Sequence, residues 1–265
     1  MAISSASYFT NAIVGTPQVG ADVEIYDAHS VPKFALGTKI ESSDGNIYRY
    51  SHFGEDTAAG LVVSTDISET CQADADNVII APSATYQMSD EQSGVYPGAI
   101  GSKYVVITLA SITANQFAGG YFVTTDDTGK GYTFRVMNNT ATNNPATGLI
   151  RLELDGKLQV ALAADTDFAI MGCPYNDLES CDGTDIIAAG VTVRAMDVSD
   201  AAYGWIQTKG VCGVLSSGAI AIGSDVVTST AGNFIVQTDY TAPVCGISLI
   251  EGDDGGYGLF KVNFE

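Results

Sequence analysis

Apolar and polar residues alternate with a period of two over much of this chain. In residues 46–53, Ile47, Arg49, Ser51 and Phe53 alternate with Tyr48, Tyr50 and His52, the spacing of a strand with two distinct faces. The preceding "TKIES" joins this run through Asp44–Gly45, a dipeptide that favours a tight hairpin turn. The two runs therefore predict a hairpin that carries its tyrosines into a packed or contact face. A second hairpin is predicted from "GYFVTTD" and "GYTFRVMN" around "DTGKG", and a third from "LIRLELDGKLQVAL" turning at Asp155–Gly156. "ADVEIYD", "AAGLVVSTDI", "NVIIAPSATYQM", "KYVVITL", "IIAAGVTVRAM", "DVVTS" and "YGLFKVNFE" read as further strands. In "YGWIQTKGVCGVL", Trp205, Gln207 and Lys209 fall on one strand face and Ile206 and Thr208 on the other. Gly218, Gly223 and Gly232 mark the turns that follow.

Strands with turns every ~10 residues predict an all-β fold, a sandwich or barrel-like set of short antiparallel strands. One short helix is expected at "ANQFA", capped by Thr113 and stopped by Gly119–Gly120. Residues 1–20 are small and weakly periodic and close on Pro17 and Gly20, so they read as an extended amino-terminal arm. The loop "SGVYPGAIGS" suggests a boundary near Gly101. The expected organisation is an arm (1–20), an amino-terminal β region (21–101) and a carboxy-terminal β domain (102–265).

Charge narrows the function. Eleven Lys and Arg against 31 Asp and Glu leave a formal charge of −20 over 265 residues. The bases, such as Lys103, Arg151 and Lys209, are scattered singly, so no nucleic-acid footprint is expected. No run reaches the ~18 apolar residues of a membrane span. The amino terminus has neither the basic nor the apolar region of a secretory signal, so synthesis in the cytoplasm is expected. Cys212 and Cys245 sit in apolar strand-like runs and are expected as reduced core thiols. Cys173 and Cys181 are candidates for a disulfide or a metal site, but neither a CxxC nor a histidine lies near them in sequence.

Chemistry is sparse. His29 and His52 are the only histidines, and neither stands in a catalytic signature. "TGKGY" lacks the remainder of a phosphate-binding loop and reads as a hairpin turn. "DADN" (74–77), "DTD" (165–167) and "EGDDGG" (251–256) are candidate calcium loops, though none has EF-hand spacing and all are also ordinary turn compositions. The chain is expected to be no enzyme and to carry no cofactor.

Four stretches in this order, "LGTKIESSDGNIYRY", "ITANQFAGGYFVTTDDTGKGYTFRV", "VALAADTDFAIMGCPYNDL" and "AYGWIQTKGVCGVLSSGAIAIGSDVVTSTAG", resemble structural proteins of tailed bacteriophages. They are most similar to head decoration, or cement, proteins of marine and cyanobacterial phages. The similarity covers roughly residues 35–55 and 100–232. It implies an all-β subunit of the virion, commonly a homotrimer, bound from outside to the major capsid protein shell. The family has no catalytic residues to carry over. Ile3, Tyr8, Phe9 and Ile13 of the arm are candidate contacts with the shell or a neighbouring subunit, and Trp205 is a candidate core or subunit-interface anchor. The alternative is a carbohydrate- or host-surface-binding virion or tail module that uses tyrosines and acidic loops, with or without calcium.

Overall fold

The computed structural model describes residues 24–65, 71–72, 78–86, 95–142, 148–181, 188–238 and 243–265. The chain forms two compact units, Met1–Asp66 with Tyr175–Glu265, and Ile67–Pro174. The second is thus inserted into the first. The expected boundary at Gly101 falls inside the inserted unit, where the Gly101 amide donates to the Leu158 carbonyl at 2.8 Å.

The first unit is a ten-stranded sheet. Its strands are β1 (Lys39–Glu41), β2 (Ile47–His52), β3 (Val62–Thr65), β10 (Leu178–Ser180), β11 (Ala188–Thr192), β12 (Tyr203–Leu215), β13 (Asp225–Thr228), β14 (Phe234–Val236), β15 (Gly246–Ile250) and β16 (Tyr257–Asn263). The order is β10-β3-β11-β12-β16-β15-β13-β14, with β1 and β2 joined at β12. The 13-residue β12 organises this unit. Its first half pairs with β2 from Tyr203↔His52 onward, and its second half pairs with β16 as far as Leu215↔Tyr257. Lys209 belongs to both pairings, opposite Ile47 and Asn263.

The inserted unit is a six-stranded antiparallel sheet in the order β4-β9-β6-β7-β8-β5. Its strands are β4 (Cys71–Gln72), β5 (Tyr104–Thr108), β6 (Tyr121–Thr124), β7 (Thr133–Asn139), β8 (Leu149–Leu154) and β9 (Phe168–Met171). Phe117, Phe122, Phe168, Ile150 and Leu152 fill its core. Both sheets curl as half-barrels, the all-β architecture expected from the alternating pattern.

The first two predicted hairpins form, as β1–β2 and β6–β7. The third does not. Both edges of β8 are taken, by β5 and β7, so "KLQVAL" has no strand edge to join. Instead the amides of Leu158 and Leu162 donate to the carbonyls of Ser102 and Gly98, each at 2.8 Å.

The expected helix at "ANQFA" is a series of turns. Asn139 holds this segment in another shape: its carbonyl accepts from the Asn115 amide at 2.9 Å, and its side-chain oxygen takes at 2.8 Å the Phe117 amide that a helix would direct to Thr113. Asn115 itself stands at φ 65°, outside the helical region. The helix among the described residues is a single 3-10 turn, Ala84–Tyr86. Of "NVIIAPSATYQM", the described residues 78–86 contribute one bridge, Ile79↔Ile107, and of "ADVEIYD", the described residues 24–27 form a turn with Ile25 buried.

Candidate functional site

Trp205 lies at the centre of an aromatic cluster built by β2, β12 and the segment before β1. Its ring is 5.1 Å from Tyr50 and 5.4 Å from Phe34, centroid to centroid, and Tyr203 stacks on Tyr50 at 6.4 Å. Ile25, Ile40 and Tyr48 close the cluster. Register explains the meeting, because Tyr50 and Trp205 are directly paired across β2 and β12. Ile206, the next residue, packs into a separate core with Phe53, Val63 and Leu178, as the predicted alternation of faces requires. Trp205 is 1% exposed, so no partner can touch it in this fold. Of the two roles expected for it, core or subunit-interface anchor, this burial fits the core role. Ile3, Tyr8, Phe9 and Ile13 lie outside the described residues.

The histidines are tied into the same region. His29 exchanges backbone hydrogen bonds with Tyr203 at 2.8 and 3.0 Å, and its Nδ1 lies 3.3 Å from the Tyr50 hydroxyl. Burial, the largest influence, lowers the His29 pKa against the raising effect of Asp27. The Tyr50 hydroxyl also accepts from the Lys33 amide at 3.1 Å, while burial raises its pKa. The His52 ring packs 4.8 Å from Tyr203. These contacts position backbone and rings, and the hydroxyl beside His29 Nδ1 is that of Tyr50, which burial holds in its protonated form.

Cys173, Cys181, Cys212 and Cys245 form no disulfide with one another. Burial pushes Cys212 up to about 12 and Cys245 up to about 11. Of the candidate calcium loops, "DADN" lies outside the described residues. In "EGDDGG", Asp254 accepts the Gly218 amide at 2.7 Å, which makes it a turn cap. In "DTD", the Thr166 hydroxyl accepts the Ala163 amide at 3.1 Å and closes a turn. Among the described residues no group of three His, Cys, Asp or Glu side chains converges.

The surface offers more than the interior. On the outer face of the first unit, the register sets Val211, Lys261, Ile247 and Asp225 in one row across β12, β16, β15 and β13. Val211 is 40% exposed, Ile247 44% and nearby Val244 47%. They line an open groove of about 840 Å³, which the Asp44–Asn46 turn also borders. Sequence reading passed over this face. The alternation in "ISLI" of β15 misleads: Ile247 and Leu249 flank Ser248 as if they faced the core, but the structure buries Ser248 and exposes both.

No family model matches the chain, and no curated protein matches it. Among solved structures, the chain is similar to the head fiber gp8.5 N base of bacteriophage phi29, with 12% identity over 61% of this chain and 96% of that one and a TM-score of 0.28.

Proposed function

We propose that this chain is a structural, non-enzymatic component of a bacteriophage particle, a homotrimer that binds the major capsid protein from outside and reinforces the shell. One observation carries the reading. Two of the stretches that resemble phage head decoration proteins, "LGTKIESSDGNIYRY" and "AYGWIQ", are paired residue against residue as β2 and β12. Their aromatic residues Tyr48, Tyr50 and Trp205 form one buried cluster. The resemblance thus falls on a packing nucleus as well as on glycine turns, which many β proteins share. An acidic surface suits such a role, since it keeps free subunits apart before assembly.

The test is reconstitution. Shells assembled without this protein, mixed with the purified chain, should bind it saturably on their outer surface and withstand higher temperature, as read by co-sedimentation, cryo-electron microscopy and a capsid-disruption assay. Failure to bind shells, or binding confined to tails or to glycans on an array, overturns the assignment.

A further inference from the structure

The groove on the outer face is locally neutral on a strongly acidic chain: among its lining residues, Lys209 and Lys261 balance Asp44 and Asp225. One segment of the chain matches it in character. Residues 1–21 contain no Asp, Glu, Lys or Arg, and they carry Ile3, Tyr8, Phe9 and Ile13. We propose that the amino-terminal segment of one copy lies in this groove of a second copy, so that the chain self-associates by exchanging arms.

Charge selects the occupant. A second body of the same chain brings its share of a −20 charge to the contact, whereas the uncharged segment brings apolar area without that repulsion. The side from which the segment starts favours exchange over self-docking, which would require the chain to wrap around its own sheet. Ile25, just beyond the segment, lines a hollow with Tyr48 and Cys212. Cys212 follows Val211 in β12, and consecutive strand residues point to opposite faces. Ile25 therefore stands on the face opposite the groove of its own chain. Twenty-one residues span at most roughly 70 Å when extended, and a unit of this size is about 40 Å across, so the reach to a neighbour is sufficient.

Capture of the contact in the full-length protein tests this. A photo-cross-linking phenylalanine analogue replaces Phe9 in a mixture of ¹⁴N- and ¹⁵N-labelled copies, without any shell present. The expected products link position 9 to peptides carrying Val211, Val244 or Ile247, with the two isotopes on opposite sides of the link. Ile247→Glu should remove these links and weaken self-association in sedimentation by at least about tenfold, the loss expected when a buried aliphatic contact becomes a charge. Ile247 is already exposed, and Trp205 emission checks that the variant folds. Deletion of residues 2–20 leaves the groove intact and should give the same loss. Links to the groove within single-isotope chains only, links to other surfaces, or unchanged association in both variants overturns the proposal. No capsid enters the experiment, so its failure is distinct from failure of the virion reading.

Discussion

Gly210 stands where β12 passes from β2 to β16, with φ at +105°. A Cβ at this position would fall 1.9 Å from the Asn46 side-chain oxygen and 2.9 Å from the Asn46 Cα. The first clash can be relieved by rotating Asn46. That forfeits the hydrogen bond it accepts from the Val211 amide at 2.9 Å, worth about 0.5–1.5 kcal/mol. The second clash is with backbone, and no rotamer removes it. Holding an L residue at a sparsely populated positive φ adds about 1–3 kcal/mol. Gly210→Ala should therefore destabilise the first unit by about 3 kcal/mol, a fall in Tm of roughly 6–12 °C for a unit of this size. Trp205 is the only tryptophan and lies on the same strand, so its emission during heating reports this unit directly. Asn46→Ala alone should cost about 1 kcal/mol. The double variant should be less destabilised than the two single costs combined, because truncating Asn46 removes the nearest clash. Additive costs, or a shift under about 2 °C for Gly210→Ala, would refute the reasoning.

The remaining predictions concern other parts of the fold. Glu265 accepts from Arg49 Nε and Nη2 at 2.9 Å each and from the Thr208 hydroxyl at 2.8 Å, and the Arg49 hydrogen bonds chiefly hold its pKa below the ordinary 4.5. A depressed folded pKa gives stability above the unfolded value that is lost as pH falls through the folded one. Glu265→Gln should thus lower the Trp205-monitored Tm at neutral pH, and its difference from the unaltered protein should shrink as pH falls through the lowered pKa of the folded carboxyl; a constant difference contradicts this. Cys212 and Cys245, with thiols raised to about 12 and about 11, should resist alkylation at about pH 8 until the protein unfolds; rapid labelling of either in the folded state, read by peptide mapping, counts against it. In Gly120→Ala, the new Cβ would lie 2.0 Å from the Met171 carbonyl oxygen. That backbone clash should cost more than about 3 kcal/mol and speed hydrogen exchange across β6, β7 and β9, and unchanged protection there would refute it.

What was legible in the sequence was what local pattern decides. Asp44–Gly45 sets the β1–β2 turn, and Gly45 takes the positive φ of 84° that the turn needs. Asp155–Gly156 offered the same signal and failed, because strand pairing depends on which edges remain free, and β8 had already given both of its own. The helix at "ANQFA" failed for a related reason: Asn139, more than twenty residues away, takes both the Phe117 amide and the Thr113 carbonyl that a helix would have paired with each other. Trp205 was assigned to the correct strand face, but strand pattern cannot say whether a face is covered by its own chain or by another. The segment before β1 supplies that cover through Phe34 and Ile25.

Salt separates two ways in which an acidic chain can associate. If ion pairs held copies together, screening would weaken the contact as salt rises. In the exchanged-arm arrangement the attraction is apolar, between an uncharged segment and a locally balanced groove, while the net −20 of each copy supplies only repulsion. Raising the ionic strength from about 0.01 M to about 0.15 M shortens the Debye length from about 30 Å to about 8 Å. Most repulsion between bodies about 40 Å across is then screened, while burial of the arm is unaffected. Self-association measured by sedimentation should therefore strengthen over this range, and deletion of residues 2–20 should abolish the trend along with the association. Weakening with added salt would show that charge pairs, rather than the neutral groove, hold the copies together.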